Sequence, residues 1–251
     1  MWITFLKHSI QYLFKTFGLD LSRYHPETNK WFVQKKLLEN VVSPVILDVG
    51  ANIGQTLKVY KSLFPDGEIH CFEPFPDSYN ILKDFATQFN RSQTYQLAIA
   101  EKTEETVFHV NSDYHATNSL FYRPSKGYCY YPKEAQLNDT IPVKTDTLDS
   151  FAQRINLNQV NILKMDIQGA ELLALRGATQ LLENQAISLI VTEVMFVPHY
   201  EGGALFNQIH DFLSTKDYSL FGIYDAHFAE NCQIRFADAI FISRDLRAQL
   251  K

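Results

Sequence analysis

The chain has 251 residues, 46% of them hydrophobic and 14% aromatic, enough to bury one good core and too apolar to remain disordered. A formal net charge of −5 supplies no field that would concentrate nucleic acid, so a dedicated DNA or RNA binder is disfavoured. No apolar run reaches the roughly eighteen residues needed to cross a bilayer.

The charge is unevenly spread. Residues 1–37 hold six Lys/Arg and two Asp/Glu, a net of +4, which leaves −9 on the remainder. Within this basic start, Trp2, Ile3, Phe5, Leu6, Ile10, Leu13, Phe14 and Phe17 fall on one broad helical stripe. His8, Gln11, Lys7 and Lys15 interrupt the run, and no small-residue cleavage site follows, so a signal peptide is not expected. Residues 1–40 therefore read as a helical arm. The arm packs on its own domain, supports a homodimer, or touches a membrane surface peripherally with lysines at the headgroups. Three widely spaced cysteines, Cys71, Cys129 and Cys232, show no metal-ligand pattern and suit free thiols in a reducing, cytoplasmic setting.

Residues 41–251 change rhythm. Strands are expected near Val45–Val49, Glu68–Phe72, Thr94–Ala98, Ile162–Met165, Ser188–Val194, Ser219–Ile223 and Asp238–Ile242, with helices around 54–64, 76–89, 171–183 and 203–216. Short connections between alternating elements imply a mostly parallel sheet covered on both faces, with ligands at the carboxyl ends of the strands where their order reverses. The last two strands lack a helical pattern between them and read as an edge hairpin. Between about 101 and 150 the alternation breaks into an insertion. Its residues Tyr114, His115, Asn118, Ser119 and Tyr122, with more tyrosines beyond, are expected to face a substrate, since Tyr combines an apolar body with a polar tip.

The first chemical motif is VILDVGANIGQT over residues 45–56, a buried strand running through a glycine turn into a helix. Gly50 and Gly54 permit close backbone approach, and the helix start at Gln55 offers unpaired amides. Asn52 replaces the middle glycine of a dinucleotide fingerprint, and Asp48 precedes the turn. A negative charge there suits a pyrophosphate poorly and a ligand with ammonium and sulfonium groups, S-adenosylmethionine, well. Glu73 ends the next strand, 25 residues after Asp48, where an acid can meet both ribose hydroxyls. Ala98, closing the third strand, and Asp166, closing the fourth, complete the expected cofactor contacts. A nicotinamide-dependent oxidoreductase and a catalytically silent, membrane-associated adaptor are the competing readings.

Residues 162–178, ILKMDIQGAELLALRGA, closely resemble the signature of the FkbM-family methyltransferases. Asp48 to Gly54, the Glu73-Pro74 pair and Thr147-Leu148-Asp149 match the same pattern, over about residues 45–195. The resemblance implies a Rossmann-like class I methyltransferase fold with a seven-stranded sheet. It further implies an O-methyltransferase acting on a sugar, glycan or related natural product. Methyl transfer to an alcohol aligns oxygen, carbon and sulfur in line, and the alcohol, whose acidity is near that of water at ~15.7, needs a base. Asp166, Glu171, Glu193 and His199 are the candidates, His199 because neutral imidazole is available near pH 7. The same four could converge on a divalent ion, but no compact ligand spacing demands one, and no metal is expected.

Overall fold

The computed structural model describes residues 13–14, 16–17, 25–111, 115–123 and 139–250. Of the N-terminal stripe, Leu13, Phe14 and Phe17 are exposed, and the remainder lies outside the described residues, as do Tyr114 and Cys129. Among the described residues no helix is long and apolar enough to cross a membrane. The free thiols seen are buried Cys71 and exposed Cys232.

Helix α1 (Lys30–Leu37) starts where the Asn29 side chain accepts hydrogen bonds from Trp31 N and Phe32 N, and it sends Val33 into the core. The alternation then follows as β1 (Val45–Val49), α2 (Gln55–Leu63), β2 (Glu68–Phe72), α3 (Pro76–Ala86) and β3 (Ser92–Tyr95). The second half runs β7 (Val160–Met165), α5 (Glu171–Arg176), α6 (Thr179–Glu183), β8 (Ile187–Met195), α7 (Phe206–Ser214), β9 (Ser219–Phe228), β10 (Ile234–Ile242) and α8 (Arg244–Gln249). Among the described residues these strands form one sheet in the order β3-β2-β1-β7-β8-β10-β9. Pairing is parallel from β3 to β8, and β10 runs antiparallel to both β8 and β9. The order reverses between β1 and β7, which opens a crevice at their carboxyl ends.

Side-chain alternation along β1 divides the core. Leu47 and Val49 join Leu163, Met165, Ile190 and Phe241 on one face, while Ile46 joins Leu57, Tyr60, Ile162, Leu189 and Ile240 on the other. Asp48 shares the period-two face of Ile46 and is fully buried.

Four expectations about elements needed adjustment. The third strand, expected as Thr94–Ala98, is divided: β3 ends at Tyr95, and β4 (Ala98–Ile99) pairs instead with β6 (Asp139–Asp146) in a small second sheet. β5 (Glu105–Val110) lies antiparallel to β6 and completes that sheet within the insertion. The insertion also contains α4 (Leu148–Arg154), a helix of seven residues whose period is too short to read, capped by the Thr147 hydroxyl. The helix expected over 171–183 breaks at Gly177, where an added Cβ would lie 2.2 Å from Ala100 O. Asp149 restarts it by accepting hydrogen bonds from Gln180 N and Leu181 N. Finally, β9 and β10 extend well past the segments that revealed them, because the added residues pair with each other, Phe236 with His227 and Ile234 with Phe228, whatever their polarity.

Candidate active site

Strand register assembles the site. Val49 pairs with Phe72 on one side and Met165 on the other, so the next residue of each strand, Gly50, Glu73 and Asp166, emerges side by side at the reversal point. Gly50 adopts φ +77°, and an added Cβ would sit 2.0 Å from Asp166 O. Its missing side chain is what lets the end of β7 pass the turn. Asn52, also left-handed at φ 47°, donates its N–H to Glu73 Oε2 at 2.9 Å, and Phe75 N donates to Oε1 at 2.9 Å. Burial outweighs these two donors and pushes the Glu73 carboxyl up to about 7.

These groups border a cavity of about 80 Å³ that opens to solvent. Pro74, Leu97, Ala98 and Ile99 make an apolar wall, and Phe108, His115 and Asn118 of the insertion close it. His115 packs edge-on against Phe75 at 4.7 Å, and Asn118 Oδ1 accepts from Asn111 N at 2.7 Å. The insertion therefore covers the cavity of the glycine turn. Ser119 is buried, donating its hydroxyl to Gln168 O at 2.7 Å, and Tyr122 is an exposed residue against His109. Neither Ser119 nor Tyr122 lines this cavity or the next.

A second cleft of about 490 Å³ lies at the same sheet edge, between α1 and the β9–β10 hairpin. Asp166 borders both. It is exposed, and Gln168 Nε2 donates to its Oδ1 at 2.9 Å and to Glu193 Oε2 at 3.0 Å, tying the two carboxylates together. Tyr200 OH in turn donates to Gln168 Oε1 at 2.7 Å, and Arg123 donates to the Tyr200 oxygen. Glu193 borders the second cleft. Burial, then the charges of Asp166, Glu171 and Asp238, raise its carboxyl well above the ordinary range.

Other expected site residues are placed elsewhere. Asp48 lines neither cavity; its carboxylate meets Lys164 Nζ at 3.0 Å, so its charge is balanced inside the protein. Lys164 also donates to Gly50 O at 3.1 Å, which makes the pair a brace for the turn. Gly54 serves packing: at φ +95°, an added Cβ would come 2.7 Å from the Phe85 ring. Gln55 is exposed and borders neither cavity. Glu171 is buried beneath the turn it shapes, accepting from Ile167 N at 3.0 Å, and burial pushes its carboxyl up to about 7. His199 is also buried outside both cavities. Burial first, then Arg235 and Arg123, lower it to about 3, so it stays neutral, and its place outside both cavities puts it away from any acceptor bound in them.

Gln168, Tyr200, Lys30 and the polar ends of β9 and β10 were not expected in site roles. One signal was present: a lysine within the apolar run of β7 needs a buried counter-charge. Among the described residues no group of acidic, histidine or cysteine side chains is arranged to hold a metal ion.

A sheet in this order, with an acid closing its second strand beside a glycine turn, defines a Rossmann-like class I methyltransferase. The chain belongs to the FkbM methyltransferase family, whose domain model, the methyltransferase FkbM domain, matches residues 48–220. It is thus an S-adenosylmethionine-dependent methyltransferase, and the oxidoreductase alternative is set aside. Over 178 residues it is 28% identical to the 2-O-methyltransferase NoeI of Sinorhizobium fredii, covering 68% of this chain and 72% of that one. It is 26% identical over 142 residues to Methyltransferase 1 of Beauveria bassiana, covering 53% and 57%. Solved structures with a similar course include an rRNA methylase from Streptococcus thermophilus (TM-score 0.47, 6% identity, 89% and 99% covered). Another is M. capricolum TrmK in complex with S-adenosylhomocysteine (0.43, 8%, 85% and 68%).

Proposed function

We propose that the enzyme methylates a hydroxyl oxygen of a sugar, glycan or related natural product, with Asp166 as the general base. The observation that carries this is the place of Asp166: an open carboxylate at the end of β7 that borders both the glycine-turn cavity and the second cleft. The 2-O-methyltransferase relative supports oxygen as the acceptor atom.

The cofactor's adenosine end lies along the lining of the first cavity. Glu73, with its carboxylate held in place by two backbone donors, can accept from ribose hydroxyls, and Leu97, Ala98 and Ile99 offer an apolar slot for a purine. Gly50 and Asn52 supply the backbone edge. Bound there, S-adenosylmethionine supplies an electrophilic methyl group. Gln168 occupies Asp166 Oδ1, and the acceptor's proton is taken at Oδ2. Residues 41–251 then act as the methyltransferase domain, and the 1–40 arm contributes Lys30 and Trp31 to the second cleft.

The test is incubation with methyl-labelled S-adenosylmethionine and extracts of the source organism, followed by mass spectrometry of the labelled product. A methyl ether on a hydroxylated small molecule or glycan is expected; label on nitrogen, protein or nucleic acid would overturn the proposal.

Glu73 makes cofactor binding depend on pH. Its ionised form accepts strongly from both ribose hydroxyls, whereas protonation turns one oxygen into a donor and weakens the other as an acceptor, so affinity is greatest above about 7 and falls as pH drops below it. The dissociation constant for S-adenosylhomocysteine is expected to rise by up to about tenfold per pH unit on the acid side. Glu73→Ala should abolish binding. Calorimetry showing the same affinity on both sides of neutrality would contradict this role.

A further inference from the structure

We propose that the second cleft is the acceptor site, and that its excess of carboxylates selects a neutral or ammonium-bearing polyol over one carrying a carboxylate or phosphate. This rests on the methyl-transfer reading above and extends it to the substrate. A hydroxyl bound in the cleft meets Asp166, the carboxylate that also borders the cofactor cavity.

The walls have the chemistry of a polyol site. His227 and Phe236 present stacked rings 4.4 Å apart, and Trp31 of α1, edge-on to Tyr60 at 5.5 Å, lines the same cleft. Flat apolar faces of this kind suit the C–H face of a sugar ring. In the same lining Lys30 joins Asp225 at 2.9 Å and also bonds Asp238, a cluster that offers both donors and acceptors to hydroxyl groups.

The charges do not cancel. In the described lining two lysines face Asp166, Glu193, Asp225 and Asp238, and Lys164 is already matched by buried Asp48, which is not part of the cleft. Even with Glu193 protonated, Lys30 alone opposes three carboxylates. An added anion is therefore repelled, and an ammonium group finds partners without displacing one.

The experiment uses the Trp2→Phe protein, in which Trp31 is the remaining tryptophan, saturated with S-adenosylhomocysteine. Trp31 fluorescence is followed while a methyl hexoside, the corresponding methyl aminohexoside and the methyl hexuronide are titrated in turn. The aminohexoside is expected to bind at least about tenfold more tightly than the hexuronide, with the hexoside between them. The isosteric double variant Asp225→Asn/Asp238→Asn should erase most of that ratio. Equal or tighter hexuronide binding, or no response of Trp31 to any glycoside, would overturn the proposal. Binding in the expected order with no methyl transferred to oxygen would instead remove the proposed reaction and leave the cleft assigned. Methylation of hydroxyls without charge discrimination would do the reverse.

Discussion

Asp166→Asn is expected to lower methyl-transfer turnover by about 10²- to 10⁴-fold, the span of a lost general base, while S-adenosylhomocysteine affinity stays at the wild-type value. The substitution keeps the shape of the side chain and an oxygen for the Gln168 hydrogen bond, so the turn is preserved. What is lost is basicity where the two cavities meet. Single-turnover kinetics with calorimetry on the same preparation separate the two effects. A parallel fall in cofactor affinity would assign Asp166 to holding the cofactor, and unchanged turnover would remove it from the chemistry. His199→Ala is the useful comparison, because this imidazole is buried outside both cavities, and turnover is expected to stay near the wild-type value.

Gly50→Ala should cost roughly 2–6 kcal/mol, combining strain at φ +77° with a steric clash against the neighbouring backbone. The clash cannot be relieved by rotating a side chain, because the atom 2.0 Å away is Asp166 O. Either the turn or the end of β7 has to move, and with it the alignment of Gly50, Glu73 and Asp166. Against a typical total of about 5–15 kcal/mol this is a large share, readable as a shifted urea midpoint. A change below about 1 kcal/mol would mean the turn is more adaptable than its contacts imply.

The parallel sheet and most of its strands were legible because the information is local. Apolar runs such as 45–49 and 160–165 write their burial directly into composition, and a glycine turn between strand and helix is a short-range pattern. Glu73 and Asp166 were legible for the same reason: each is the first residue past such a run, where ligands bind in this kind of sheet. Legibility failed where two distant segments decide the outcome. Asp48 read as a ligand for a cation because its neighbours are glycines, yet β1 and β7 lie in register and bring Lys164 onto it from 116 positions away. His199 read as an available base, whereas its surroundings include Arg123 and Arg235 from separate segments.

The second cleft shows the division most plainly. Lys30 and Asp238 are separated by 208 positions and nothing in either local sequence announces the other. Their meeting depends on α1 lying over the end of the sheet and on β10 returning antiparallel beside β8. Local sequence thus settled the parallel fold and the places of Glu73 and Asp166 at its strand ends, since backbone propensity and burial act over a few residues. Which carboxylates stay open, which are neutralised, and which border a cleft were settled only by packing, because charge balance depends on neighbours in space.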